Sequence, residues 1–265
     1  MKGFVFFIAV LALLMGYLYF QVNFVTVRRY TVSIQNLPAA FEGLTILHLS
    51  DFHNKKYGKQ EEKLIRLINA QDFDFVAITG DLIDKRKPNL EPIKDLLENL
   101  SGEKVYFVPG NHEWQSGYSL KELLAPLGVI SLENKADKYV RGEAYLWIVG
   151  VDDPYLRKAD LEKALENTDN NAPKILLAHA PNIFPSAVEN KLDLVLTGHT
   201  HGGQVRIPFL GALVIPGQGF FPGFDYGLYT RDTTTMIING GLGESVFPLR
   251  INNRPEIVLV TLRGE

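Results

Sequence analysis

Cysteine is absent from all 265 residues of the chain. No disulfide framework, thiolate metal site or thiol nucleophile can therefore exist, which leaves carboxylate, imidazole and amide groups as ligands for any metal ion. A strong charge of either sign is also lacking, with a formal net charge of -3 at pH 7. Without a basic field, no stable nucleic-acid partner is expected. Neither a repeat of fixed period nor a Pro/Gly/Ser linker long enough to split the chain is present. What the chain does have, at 46% hydrophobic residues, suffices for one substantial core, with an apolar N-terminus accounting for part of that fraction.

That N-terminus is uncharged and almost wholly apolar from Phe4 to Phe20, a run of about 25 Å at roughly 1.5 Å per helical residue. The length falls slightly short of the ~30 Å hydrocarbon core of a bilayer. Continuing to Val27, ahead of Arg28 and Arg29, it reaches across with some tilt, and Tyr17 and Tyr19 suit the interface. A cleaved signal peptide is the competing reading, but no small-x-small signature follows the apolar run, where Gly16-Tyr17-Leu18-Tyr19-Phe20 stands instead. The expectation is a membrane anchor and juxtamembrane segment over residues 1–29 and a catalytic domain over residues 30–265. A single pass through the cell membrane follows, with the catalytic domain outside the cytoplasm.

Beyond it, apolar β-type runs recur at Leu44–Leu49, Phe73–Ile78, Val105–Val108, Tyr145–Val149, Ile175–Ala178, Leu192–Leu196, Thr235–Ile238 and Ile257–Leu262. Most are continuous rather than alternating, as strands buried on both faces are. Helical patterns lie between several of them, including Gln60–Ile68 and Lys158–Glu166. The fold class is α/β and layered. Gly202–Gly227 is rich in Gly, Pro and Phe and reads as a long ordered loop or short hairpin.

The polar residues fall where these runs stop. Asp51 and His53 follow the first, Gly80-Asp81 the second, Gly110-Asn111-His112-Glu113 the third, His179 the fifth, and Gly198-His199-Thr200-His201 the sixth. In open α/β sheets ligand sites form at the carboxyl ends of strands, so residues distant in sequence can converge there. Five of the six histidines occupy such ends. A set of Asp, Asn and His without Cys suits Mn²⁺, Zn²⁺ or Fe and is too large for one tetrahedral catalytic site. Two ions sharing a bridging carboxylate would use all of it, and such a pair can activate a bridging hydroxide for in-line displacement at phosphorus.

The ordered blocks D-x-H, G-D, G-N-H-E, H and G-H-x-H resemble those of the calcineurin-like metallophosphoesterases, over roughly Leu44 to Leu262. The N-terminal span, the stretch Gly198–Gln204 and the ending with Pro255-Glu256-Ile257 are similar to the membrane-associated bacterial branch. The resemblance implies a four-layer sandwich of two mixed β-sheets flanked by helices. It implies that Asp51, His53 and His201 bind a first metal and Asn111, His179 and His199 a second, with Asp81 bridging. His112 would then lie beside the substrate phosphate, stabilising charge or protonating the leaving oxygen. Asp84 matches a position that orients this histidine in some relatives; a helix-start or turn aspartate is the plain alternative.

The expected function is a phosphodiesterase or pyrophosphatase that uses a metal-bridging hydroxide on a phosphoester substrate, with a lipid-linked or nucleotide-linked compound in view of the tether. A phosphoprotein phosphatase is disfavoured by Lys85, since those relatives carry Arg straight after the aspartate matching Asp84. A non-catalytic scaffold is disfavoured because every ligand position and His112 are retained. Other polar residues read as structural: His48 inside the first strand, Asp152 and Asp153 in a turn before Pro154, and Gly240–Gly243 as a tight turn without the Lys-Ser/Thr of a P-loop. Arg206 reads as solvated on a packed loop, although Phe220, Phe221 and Phe224 on that loop would touch a membrane if exposed.

Overall fold

The computed structural model describes residues 1–100, 104–118, 120–212, 214–215, 219–220, 223–244 and 249–265. An N-terminal helix, α1 (Lys2–Asn23), runs almost directly into the first strand, β1 (Thr26–Ile34). There follow β2 (Thr45–Leu49), α2 (Glu62–Asn69), β3 (Phe75–Thr79), α3 (Glu91–Glu98), β4 (Lys104–Val108), α4 (Asn111–Ser116), α5 (Lys121–Leu124) and β5 (Val129–Ser131). The second half begins with β6 (Lys135–Arg141) and β7 (Ala144–Gly150). It continues through α6 (Leu161–Leu165), β8 (Lys174–Leu177), α7 (Phe184–Glu189) and β9 (Leu194–Thr197). Two short hairpins come next, β10 (Arg206–Ile207) with β11 (Gly211–Ala212) and β12 (Val214–Ile215) with β13 (Gly219–Phe220). The chain closes with β14 (Gly227–Arg231), β15 (Thr234–Ile238) and β16 (Glu256–Gly264).

The long strands make two six-stranded mixed sheets, ordered β1-β16-β2-β3-β4-β5 and β14-β15-β9-β8-β7-β6. Strands β2, β3 and β4 are mutually parallel in the first, and β7, β8, β9 and β15 in the second. The continuous apolar runs are explained by burial on both sides. In β2, Ile46 packs between the sheets with Phe75, Ile148 and Ile175, while its neighbour Leu47 faces outward into a cluster with Leu64, Ile68 and Ile93 of the covering helices. The second sheet repeats this, with Leu196 inward and Val195 outward against Phe184 and Ala187 of α7. Helix, sheet, sheet and helix are thus stacked in four layers, as two mixed sheets flanked by helices.

All eight runs read from the sequence hold strands, and the two helical patterns overlap α2 and α6. The Gly202–Gly227 segment holds the two short hairpins. Within it Phe224 does not reach out, because its ring meets Phe184 and Tyr229 edge-on at 5.6 and 5.3 Å. Phe221 and the side chain of Phe220 lie outside the described residues.

Helix α1 has none of its apolar window buried, and Phe4, Phe6, Phe7, Leu13 and Leu14 stand exposed. Its last turns touch other described residues of the protein. Tyr17 Oη donates to Asn252 Oδ1 at 2.9 Å, Lys55 Nζ donates to the Val22 carbonyl at 2.5 Å, and the Arg254 guanidinium lies 4.5 Å from the centre of the Phe20 ring. Gln21, alone in the helix, is buried.

Candidate metal centre

Each parallel strand ends in a loop at the same pole. The loops are laced together: the Asp51 amide donates to the Gly80 carbonyl at 3.0 Å, that of His53 to Asp81 at 3.0 Å, that of Gly198 to His179 at 2.9 Å and that of Leu242 to Ser50 at 3.1 Å. Such close packing needs small residues. A Cβ on Gly198 would lie 2.2 Å from Asp51 Oδ2, and one on Gly80, whose φ is +81°, would lie 2.6 Å from the Gly110 nitrogen. Gly241, with φ +75°, makes the tight turn expected of its Gly-rich stretch and backs directly onto Asp51. Asp51, His53, Asp81, His199 and His201 themselves adopt left-handed backbone, with φ between +49° and +69°. Left-handed backbone is unfavourable for residues with a Cβ and gathers at functional sites, where surrounding structure enforces it.

Two clusters of donor atoms result. In one, His201 Nε2 lies 3.3 Å from Asp51 Oδ1 and 3.1 Å from His53 Nε2. In the other, His199 Nδ1 lies 3.1 Å from His179 Nε2, which is 3.3 Å from Asp81 Oδ2. The same Asp81 oxygen is 3.6 Å from His53 Nε2, so it stands between the clusters. Asn111 opens α4 nearby, and its buried Oδ1 has no hydrogen-bond partner among the described residues. The triads Asp51-His53-His201 and Asp81-His179-His199 have the geometry to hold a metal ion, as does His53-Asp81-His112.

The electrostatics fit cations. Burial pushes the imidazoles of His53 and His199 down to about 4 and about 3, and burial together with His53 holds His201 well below its ordinary value. These rings are neutral near pH 7 and keep a lone pair for a metal. Burial also raises the Asp51 carboxyl to about 6, helped by the Asp81 charge. Burial acts on Asp81 in the same direction, yet His179, His53 and His112 around it hold it well below the carboxylate range. His179 donates Nδ1–H to the Thr79 carbonyl at 2.8 Å, which turns Nε2 toward Asp81. This is the way a ligating histidine is commonly oriented from behind. His53 Nδ1 and His201 Nδ1 have no such partner among the described residues.

His112, the second residue of α4, adjoins the clusters, its Nε2 4.0 Å from Asp81 Oδ2 and its ring edge-on to His53 at 4.5 Å. Its Nδ1 accepts the Lys85 amide at 3.1 Å, and its own amide donates to Asp81 Oδ1 at 2.8 Å. Asp84 makes no hydrogen bond to this ring. Its carboxylate instead closes on Arg86 through the backbone amide and the guanidinium, and reaches His112 only as a nearby charge. Tyr155, unremarked in the sequence, covers His199 with ring centres 4.6 Å apart. Asp152 accepts from Trp114 Nε1 at 2.7 Å, and Asp153 caps the turn at the Tyr155 amide at 2.9 Å, the structural roles expected of the pair. His48 is likewise a strand residue held by Thr79 Oγ1 at 2.8 Å.

Sequence reasoning gave no role to Glu113, although it stands in the quoted block. Its Oε2 accepts the amides of Asp81 at 2.8 Å and Gly110 at 2.7 Å, and its Oε1 those of Leu82 at 2.8 Å and Ile83 at 3.3 Å. Burial and the Asp81 charge push its carboxyl up to about 7, while the N–H bonds from Gly110 and Asp81 and the nearby His179 work the other way. One signal was available in the sequence: an acid at the third position of a helix reaches back to the amide before it. Glu113→Ala leaves four buried N–H groups without acceptors, at about 1–3 kcal/mol each when unrelieved by water. We expect the midpoint of thermal unfolding of the metal-free protein to fall by roughly 10 °C or more. An unchanged midpoint would show the brace to be dispensable.

A four-layer α/β sandwich that draws Asp, His and Asn side chains to the carboxyl ends of both sheets belongs with the metal-dependent phosphoester hydrolases. The chain matches the calcineurin-like phosphoesterase family over residues 44–203, more than half its length, and it belongs to that family. It is 29% identical over 255 residues to the uncharacterized metallophosphoesterase YkuE of Bacillus subtilis, covering 93% of this chain and 88% of that one. It is 31% identical over 238 residues to YkoQ of the same organism, with 86% and 87% covered. It is also 32% identical over 254 residues to a Danio rerio transmembrane protein with metallophosphoesterase domain, where 88% of this chain matches 56% of the longer relative. The chain is a phosphoester hydrolase of a family that uses divalent metals, and its His/Asp clusters could bind them.

Proposed function

We propose that the enzyme hydrolyses phosphodiester or pyrophosphate bonds at a membrane surface with two divalent ions, Mn²⁺, Zn²⁺ or Fe. Asp51, His53 and His201 hold one ion and Asn111, His179 and His199 the other, with Asp81 shared. The observation that carries this reading is the Asp81 oxygen lying within 3.6 Å of donor nitrogens from both clusters. When bound, such a pair supplies Lewis acidity to the phosphoryl oxygens and makes a water acidic enough to attack near neutral pH. His112 contributes from the protein side. With Nδ1 accepting the Lys85 amide, the neutral ring carries its proton on Nε2, the nitrogen nearer Asp81, where it donates to a phosphoryl or leaving oxygen. Asp84 acts on His112 through its charge and by shaping, with Arg86, the turn that supplies the Lys85 amide.

Residues 1–29 serve as anchor and juxtamembrane segment in this reading, and residues 30–265 as the catalytic domain. The sheet itself already begins at Thr26. A helix with so many exposed phenylalanines and leucines is untenable in water, and its contacts with Asn252, Lys55 and Arg254 favour a retained anchor over a removed leader. The catalytic domain stands outside the cytoplasm, over a lipid-linked or nucleotide-linked substrate. The test is to strip the full chain of metal in detergent, refill it with Mn²⁺ or Zn²⁺, and assay a chromogenic phosphodiester beside the matching monoester. Turnover should return with two ions per chain and favour the diester. Failure to bind any metal would refute the reading.

A further inference from the structure

The exit of α1 is tied to two loops of the catalytic pole. Lys55, two residues beyond His53, donates to the Val22 carbonyl and pairs with Glu244. On the other loop, Asn252 accepts from Tyr17 Oη at 2.9 Å and donates from Nδ2 to the Arg206 carbonyl at 3.1 Å. Arg206 opens the β10–β11 hairpin and holds the Gly202 carbonyl, next to His201, at 3.0 Å. Metal centre, hairpin and helix end therefore share one pole.

The hairpin tip is unusual for a surface turn. Ile207, Phe209 and Leu210 are exposed, Phe209 completely so, and Phe209 is held at φ +68° with no aromatic partner among the described residues. Phe209 lies three positions beyond Arg206, at most about 10 Å of chain. The length of α1 sets the depth of this tip. Lys2–Gly16, the part free of the domain, spans only about 22 Å, less than the ~30 Å hydrocarbon core. Tyr17 and the turns after it must supply the rest, so the Asn252 loop and the hairpin beside it lie at the level of the lipid headgroups. Lys56, Lys85, Arg86 and Lys87 are exposed on the loops after His53 and Asp81, and Asn54 binds the Lys87 carbonyl at 2.9 Å. Cationic loops beside an apolar tip match an anionic lipid surface.

We propose that Ile207–Leu210 is a second membrane contact, inserted into the leaflet where α1 ends, so that the metal centre opens onto anionic lipid and takes its phosphoester from the bilayer surface. The inference rests on α1 being a membrane span. It explains why an apolar tip sits beside a hydrolytic site, and it makes the hairpin a positioning device rather than part of the chemistry.

The absence of native cysteine gives a clean test. The full chain, reconstituted in nanodiscs of phosphatidylcholine and phosphatidylglycerol, is labelled with an environment-sensitive fluorophore at Phe209→Cys, at Leu13→Cys within α1, or at Glu189→Cys on the opposite pole. Nitroxide lipids then quench whichever labels touch the bilayer. We expect the Phe209→Cys label to be quenched severalfold more than the Glu189→Cys label, and Phe209→Asp with Leu210→Asp to abolish quenching of a label at Ile207→Cys. Quenching at Leu13→Cys with none at Phe209→Cys above the Glu189→Cys level would overturn the proposal while leaving the span intact. No quenching at Leu13→Cys would remove the span and the proposal with it.

Discussion

Asp81→Asn should abolish turnover and empty both metal positions at once. The substitution keeps the shape of the side chain and its contact with the His112 amide, and removes the charge. In the proposed ligand set only Asp51 and Asp81 are anionic, against four formal positive charges from two ions, so the loss takes half of the neutralising charge. It takes it from the shared oxygen, 3.3 Å from His179 Nε2 and 3.6 Å from His53 Nε2. Loss of a group that merely supports a ligand costs about 10- to 100-fold; loss of the shared ligand should cost on the order of 10³-fold or more in kcat. Asp51→Asn makes the comparison, because the imidazoles its carboxylate approaches within 4 Å among the described residues are those of His53 and His201, its contact with the other cluster being the His199 backbone amide, and it should deplete one ion preferentially. Metal analysis after gel filtration, beside kcat for a chromogenic diester, reads both. Full occupancy in Asp81→Asn would exclude a bridging role.

Much of this centre was legible because of how strands are buried. A strand covered on both faces reads as an unbroken apolar run, and the first polar residue after it marks the strand end. Asp51, Asp81, Asn111, His179 and His199 all stand at such breaks, and the parallel order of β2-β3-β4 and β7-β8-β9 brings them to one pole. Edge strands offered no such signal. β1 carries exposed Arg28 and Arg29, and its sequence reads as juxtamembrane; only pairing with β16 from Thr26↔Glu256 onward makes it a strand. β6, an edge strand with alternating exposure, contains Lys135, Lys138 and Arg141 and has no apolar run to detect. Glu113 was legible only in part: its bond from the Gly110 amide is local, whereas the amides of Asp81, Leu82 and Ile83 come from a loop about 30 residues away and meet it only after folding. The fate of Asp84 depended on Arg86 two residues on, a local pairing that the family pattern does not encode.

His112→Ala should separate chemistry from metal binding. The ring donates to no ligand in the assigned set. Its backbone amide, which survives the substitution, makes the bond to Asp81 Oδ1. Metal content should therefore stay at the wild-type level while kcat falls by about 10²- to 10³-fold, the range for removing one preorganised hydrogen-bond donor to developing charge. The bond from the Lys85 amide sharpens the expectation. It occupies Nδ1 and leaves Nε2–H facing the site, and burial lowers the ring's affinity for a second proton, so the neutral form acts across the neutral range. A neutral donor stabilises charge on the phosphoryl group and does not need to ionise. The deficit of His112→Ala should thus depend little on the leaving group, whereas a histidine acting as general acid would be missed most with poor leaving groups. A series of aryl diesters graded in leaving-group pKa distinguishes these, with parallel plots for wild type and variant expected. A variant slope that steepens toward poor leaving groups would assign proton transfer to His112, and loss of metal together with activity would make it a ligand.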